Sequence, residues 1–225
     1  MKTLLLSTCA ALSVVCAGAA VAADLPVKAP PPVVVAAAPW TGCGLGFNVG
    51  GAYGDSWWSN TTTAYAGSYS LSGAVAGAQL YCDYQTGPLV IGLEGNYAWS
   101  SLDGNGTTPN AVVHQTTINS IGGAGGRVGL AVDKSLIYVR AQAVWAQIDH
   151  TQVLGFTNTV SDTRVGWGIG AGIEYMIAPV LTARIEYNYD DFGSKNYTYT
   201  NLPTLPYTEQ TRFHVMKLGL NYKFW

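Results

Sequence analysis

From Trp40 to the end of the chain, apolar and polar residues alternate with a period of two, which places successive side chains on opposite faces of a β-strand. In Val165 to Tyr175, the residues Val165, Trp167, Ile169, Ala171, Ile173 and Tyr175 alternate with four glycines and Glu174. Leu181 to Tyr189 sets Leu181, Ala183, Ile185, Tyr187 and Tyr189 against Thr182, Arg184, Glu186 and Asn188. Leu89 to Trp99 and Met216 to Phe224 repeat the scheme, so charge falls on one face only. Eight segments are predicted, at 42–54, 73–85, 88–100, 117–132, 135–149, 163–178, 180–192 and 211–225.

The connections between these segments alternate in length. Gln85-Thr86-Gly87-Pro88, Asp133-Lys134-Ser135 and Ala178-Pro179 are short and carry turn residues, whereas 55–72, 101–116, 150–162 and 193–210 are long and polar. Short turns on one side and long loops on the other are the pattern of an outer-membrane barrel, and an even strand count returns both ends to the periplasmic side. A soluble sandwich or lipocalin-like barrel would have the same periodicity with the apolar face turned inward. The sparse charge on the apolar faces and the aromatics near strand ends (Trp99, Tyr187, Tyr189, Tyr222, Phe224) favour the membrane form. The expected fold class is therefore all-β, an eight-stranded antiparallel transmembrane β-barrel.

The first residues add an address. Met1-Lys2, an apolar run from Leu4 to Val15 and the small-residue stretch Ala20-Val21-Ala22-Ala23 read as a signal peptide over 1–23, with the mature chain beginning near Asp24. Residues 24–39, DLPVKAPPPVVVAAAP, have too many prolines for a ladder of amide donors and read as a periplasmic lead. The barrel then occupies 40–225, and the expected location is the cell outer membrane. With 11% charged residues and a net charge of −2, the chain has no basic surface for nucleic acid.

The charges that do occur suggest a lumen. Glu94, Arg127, Arg140, Glu174, Arg184, Glu186 and Lys217 share the inward parity, a balanced set suited to ion pairs across a narrow interior. Eight strands enclose a space largely filled by side chains, which argues against a wide pore. The inward glycines Gly123, Gly125 and Gly166 to Gly172 leave room for water and keep a thin ion path in view. His114, His150 and His214 all map to the outer side and invite a metal or haem reading, with solvated loop histidines as the plainer one. Asp149 and His150 are adjacent and so face opposite ways on a strand, which makes a poor dyad. No catalytic, cofactor or metal site is expected, and the protein is read as a non-enzyme.

Cys43 and Cys82 remain after signal cleavage, in a compartment where disulfides persist. If Gly54 faces Gly73 in the first hairpin, Cys43 falls two positions from the residue opposite Cys82, so a modest register offset would pair them. Two free lipid-facing thiols are the alternative. At the other end, Leu218, Leu220, Tyr222 and Phe224 share the lipid-facing parity and, with Trp225, form a candidate assembly signal for the barrel-assembly machinery. The outer loops are expected to carry recognition through Trp57, Trp58, Tyr65, Tyr69, Tyr197, Tyr199 and Tyr207.

Several short motifs resemble one family. They are Ala22-Ala23-Asp24-Leu25-Pro26, Trp40-Thr41-Gly42, Gly92-Leu93-Glu94-Gly95, Glu186-Tyr187 with Asp191-Phe192-Gly193, and the ending Gly219-Leu220-Asn221-Tyr222-Lys223-Phe224. In this order they resemble the outer-membrane immunogenic proteins of rhizobial alphaproteobacteria and their pathogenic relatives, within the opacity-protein and porin-like group. Cys43, Cys82 and the final Trp225 depart from that pattern. The resemblance implies a surface protein that supports envelope integrity and meets host or phage ligands, with porin-like diffusion or haem binding as alternatives. Outer-membrane lipids are its implied surroundings.

Overall fold

The computed structural model describes residues 39–60, 66–107, 113–153, 157–199 and 202–224. Residues 1–38, Tyr65, Trp225 and the side chains of His114, Tyr197, Tyr199 and Tyr207 lie outside the described residues. Eight antiparallel strands follow in chain order: β1 (Gly42–Asn60), β2 (Ala66–Thr86), β3 (Leu89–Thr107), β4 (Val113–Val132), β5 (Ser135–Val153), β6 (Thr157–Ala178), β7 (Leu181–Tyr199) and β8 (Leu202–Lys223). Each pairs with its sequence neighbour, and β1 also pairs with β8, so the sheet closes on itself. Closure leaves no unpaired edge through the lower part of the wall, the condition for backbone in hydrocarbon, and β6 parts from β7 only beyond Trp167↔Asp191.

The three short turns stand where the turn residues predict them. Gly87 takes φ 57° and Asp133 takes φ 52°, the left-handed region that glycine and aspartate enter most readily. The outer ends differ from the sequence reading. The strands continue past residues 54, 100, 149 and 192 and begin before 73, 117, 163 and 211, so much of the expected loop is sheet. Trp57, Trp58 and Tyr69 are strand residues as a result. The physical reason is that only about ten residues per strand cross the hydrocarbon. Beyond that height the backbone ladder continues, but the outward face no longer has to be apolar, so the alternation fades while the strand does not.

The outward face is the apolar one. Phe47, Leu80, Leu93, Trp99, Val165 and Leu218 stand exposed on the barrel wall, together with most of the other alternating apolar residues. The inward residues are buried, and they are layered. Trp40, Val90, Leu136 and Tyr138 cluster at the periplasmic mouth. A second apolar cluster, including Leu102, Ile118, Val144, Ile148, Phe192 and Phe213, fills the barrel farther out. One layer of buried charge lies between them, and further buried polar groups, Arg164 and Glu209 among them, lie beyond the second cluster.

Candidate functional site: the filled lumen and the outer rim

The charged layer comes from residues three to six positions inside the periplasmic strand ends, from Arg184, three after Leu181, to Lys217, six before Lys223. All seven lumen charges named from the sequence are buried here. Glu94 accepts from Arg140 Nη1 at 3.0 Å and from Arg184 Nη1 and Nη2 at 2.8 and 3.1 Å. Glu186 accepts from Arg140 Nη1 at 2.8 Å and from the Tyr138 hydroxyl at 2.7 Å, with Lys217 Nζ at 3.4 Å. Arg127 donates to Glu174 at 3.0 Å and holds Asp83 through both Nε and Nη2. Its guanidinium also lies 4.9 Å from the Tyr81 ring centre and 5.2 Å from that of Tyr138. Asp83, Glu94, Glu174 and Glu186 thus face Arg127, Arg140, Arg184 and Lys217, a balance that burial of charge requires.

Sequence reasoning missed Asp83 and Asp190, although both occupy the inward parity of their strands. It also missed the amides that tie the layer together. Asn48 donates to Gln79, Gln79 Nε2 to Asn221 Oδ1 at 2.7 Å, and Asn221 Nδ2 to Glu174 Oε1 at 2.7 Å. Uncharged side chains in a strand carry little signal, so parity alone could have found them.

The glycine-lined space expected from the sequence is not vacant. A Cβ at Gly168 would stand 2.1 Å from Asp190 Oδ1, one at Gly170 2.3 Å from Asn188 Oδ1, and one at Gly172 2.5 Å from the Tyr138 hydroxyl. These glycines make room for longer side chains from neighbouring strands rather than for a path. Farther out, the apolar layer runs from Val215, eight residues before Lys223, to Ile118, fourteen before Val132. Phe192 and Phe213 stack within it at 5.1 Å between ring centres.

Above the apolar layer, His150 is turned into the barrel, a correction to its reading as a solvated loop residue. Its Nδ1 lies 3.1 Å from Thr116 Oγ1 and 3.3 Å from Glu209 Oε2, and Ser56 Oγ donates to Glu209 Oε1 at 2.5 Å. Burial holds the imidazole below its ordinary pKa, outweighing the opposing pull of Glu209. His214 instead faces outward, with its Nδ1 2.5 Å from the Tyr187 hydroxyl and its ring stacked on Tyr53 at 4.9 Å. The two histidines stand on opposite faces of the wall, and no group of three metal-ligating side chains forms among the described residues.

At the periplasmic rim, Cys43 faces Cys82 across β1 and β2, and their sulfurs are 2.07 Å apart in a disulfide. Leu218, Leu220, Tyr222 and Phe224 all project from the wall, more than half of each side chain's residue exposed. The Phe224 amide donates to the Cys43 carbonyl at 3.1 Å, closing the last strand against the first.

Residues 7–224 match the outer membrane protein beta-barrel domain family. The chain belongs to that family. Among its relatives is the 31 kDa outer-membrane immunogenic protein of Brucella melitensis biotype 1, 30% identical over an alignment of 245 positions that covers 100% of each chain. The 22 kDa outer membrane protein of Rhizobium leguminosarum bv. viciae is 30% identical over 66% of each chain. A solved barrel, the outer membrane protein OprG of Pseudomonas aeruginosa, superposes with a TM-score of 0.52 at 13% identity, covering 82% of this chain and 96% of its own. That structural likeness concerns the fold. Membership of the family and its immunogenic branch places the protein in the outer membrane, with its apolar wall against lipid.

Proposed function

We propose that the protein is a non-conducting structural barrel that supports the envelope and presents its outer strand ends for surface interaction. The observation that carries this reading is the layered lumen, in which a four-against-four ion network lies between two apolar clusters. An ion crossing the barrel would have to break buried pairs and then pass Leu102, Ile118 and Phe213, each with no exposed surface. Unpairing a buried charge costs about 3–5 kcal/mol, and several would have to open together. Of the two histidines whose side chains are described, His150 is turned to the interior beside Glu209 and His214 is engaged by Tyr187, so neither is presented as an axial ligand for haem. In this reading residues 1–23 are removed on export, 24–39 form the periplasmic lead, and insertion uses the assembly machinery. Planar-bilayer recording on the refolded full-length mature chain tests it: no unitary steps are expected, and reproducible ohmic openings would overturn the proposal.

A further inference from the structure

Three strands at the barrel seam, β7, β8 and β1, bring a second polar constellation together on the outer wall, away from the lumen. Register sets it out in rows. Tyr189 pairs with His214 and His214 with Tyr53; one step outward, Asp191 pairs with Arg212 and Arg212 with Asp55; one step farther, Gln210 pairs with Trp57. All of these side chains have the outward parity, and six of them line a cavity of about 380 Å³. That is within the range of small-molecule sites, about 300–1,000 Å³.

The rows have different chemistry. The inner row is an aromatic floor, with His214 5.2 Å from the Tyr189 ring and 4.9 Å from Tyr53. The middle row is a guanidinium between two carboxylates. Arg212 Nε lies 2.9 Å from Asp191 Oδ2, its side chain is half exposed, and it lines the cavity. Asp191 is held in place by the Gly193 amide at 2.7 Å, at a bulge where Gly193 takes φ 61°. Asp55 accepts from Ser70 Oγ at 3.1 Å and lines the same cavity. The outer row ends in Trp57, 61% exposed.

Two carboxylates around one guanidinium leave no excess positive charge, so a bare phosphate is a poor fit. Adjacent hydroxyls on a ring fit well: they donate to Asp55, accept from Arg212 and Gln210, and present a C–H face to Trp57. The height supports the same class. Trp57 stands fifteen residues from Gly42 and Arg212 eleven from Lys223, at and beyond the outer limit of the hydrocarbon. The tyrosines of the inner row stand where an interfacial aromatic belt belongs. We infer that this seam cavity is a saccharide site that binds a neutral, hydroxyl-rich sugar of the glycolipid in the outer leaflet. The inference rests on the outer-membrane placement and is independent of whether the barrel conducts.

The test uses the refolded full-length mature chain in an amine-oxide detergent, which carries no sugar. Binding is measured by calorimetry against three probes: a rough-type lipopolysaccharide, the core oligosaccharide released from it, and phosphatidylethanolamine. Saturable binding of the lipopolysaccharide is expected, with none of the phospholipid, and Asp55→Asn with Arg212→Leu should weaken it at least tenfold. Binding of the free oligosaccharide, weakened by the same pair, would show that the sugar alone is sufficient. Its absence, with lipopolysaccharide binding still lost in the pair, would show that the membrane-anchored form is the ligand. Trp99→Leu, an exposed aromatic on β3, serves as control, and the heat-dependent electrophoretic shift verifies that each variant is folded. No lipopolysaccharide binding, undiminished binding by the Asp55/Arg212 pair, or equal loss in Trp99→Leu would overturn the inference.

Discussion

Glu94 shows how much one inward side chain carries. It lies against Arg140 and Arg184 and within 3.6 Å of Arg127, with almost no solvent to replace it. Glu94→Ala leaves buried guanidinium groups undercompensated and should cost about 3–5 kcal/mol, read as a lower urea midpoint in vesicles. Lys195→Ala removes a half-exposed partner of Asp162 and should change stability by only about 0–1 kcal/mol in the same assay. His150 makes a pH prediction. It stands fifteen residues beyond Ser135, outside the hydrocarbon, and burial lowers its folded-state pKa. A histidine whose pKa is lower folded than unfolded binds fewer protons in the fold, so its contribution is intact above about pH 6.5 and is lost as pH falls toward the folded value. The urea midpoint should therefore decline from about pH 6.5 downward, and His150→Gln should flatten that part of the profile. An unchanged slope in the variant would assign the acid sensitivity to other groups.

At the scale of elements, the first hairpin is set apart by its cross-link. The Cys43–Cys82 bond joins directly opposed residues 39 apart in sequence and fixes the β1–β2 register at the periplasmic rim. A one-residue slip of β1 against β2 would turn Phe47 to the lumen and Asn48 to lipid, which the bond forbids. Replacing both cysteines with serine should lower stability by about 2–4 kcal/mol, and reduction of the parent should reproduce the loss. Equal midpoints for the parent and the double variant would mean that the ladder alone sets the register. The strands also explain their own length: apolar alternation marks only the lipid-crossing section, while hydrogen bonding carries β1 to Asn60 and starts β8 at Leu202.

Over the whole molecule, closure depends on β8 meeting β1 from Gly44↔Lys223 outward, with Phe224 completing the lipid face beside Cys43. Phe224→Asp would put a carboxylate on that face, and outer-membrane levels should fall severalfold while total synthesis stays unchanged. Unaltered levels would assign the assembly signal to other residues. Much of this architecture was legible along the chain. Period two depends only on the alternation of strand side chains, so Val165 to Tyr175 and Leu181 to Tyr189 declared their lipid and lumen faces, and the turns at Gly87 and Asp133 declared the short side. The inward parity of the seven lumen charges, from Glu94 to Lys217, follows from the same rule. What parity leaves undecided is height and partner. Only barrel closure places Arg127 against Asp83 and Glu174 from other strands, sets Phe213 on Phe192 above them, and fills the space beside Gly168 and Gly170 with Asp190 and Asn188. The same holds for Asp55, Arg212 and Trp57. They come from opposite ends of the barrel segment and form one surface because β8 closes on β1, a pairing set by long-range hydrogen bonds that no local pattern encodes.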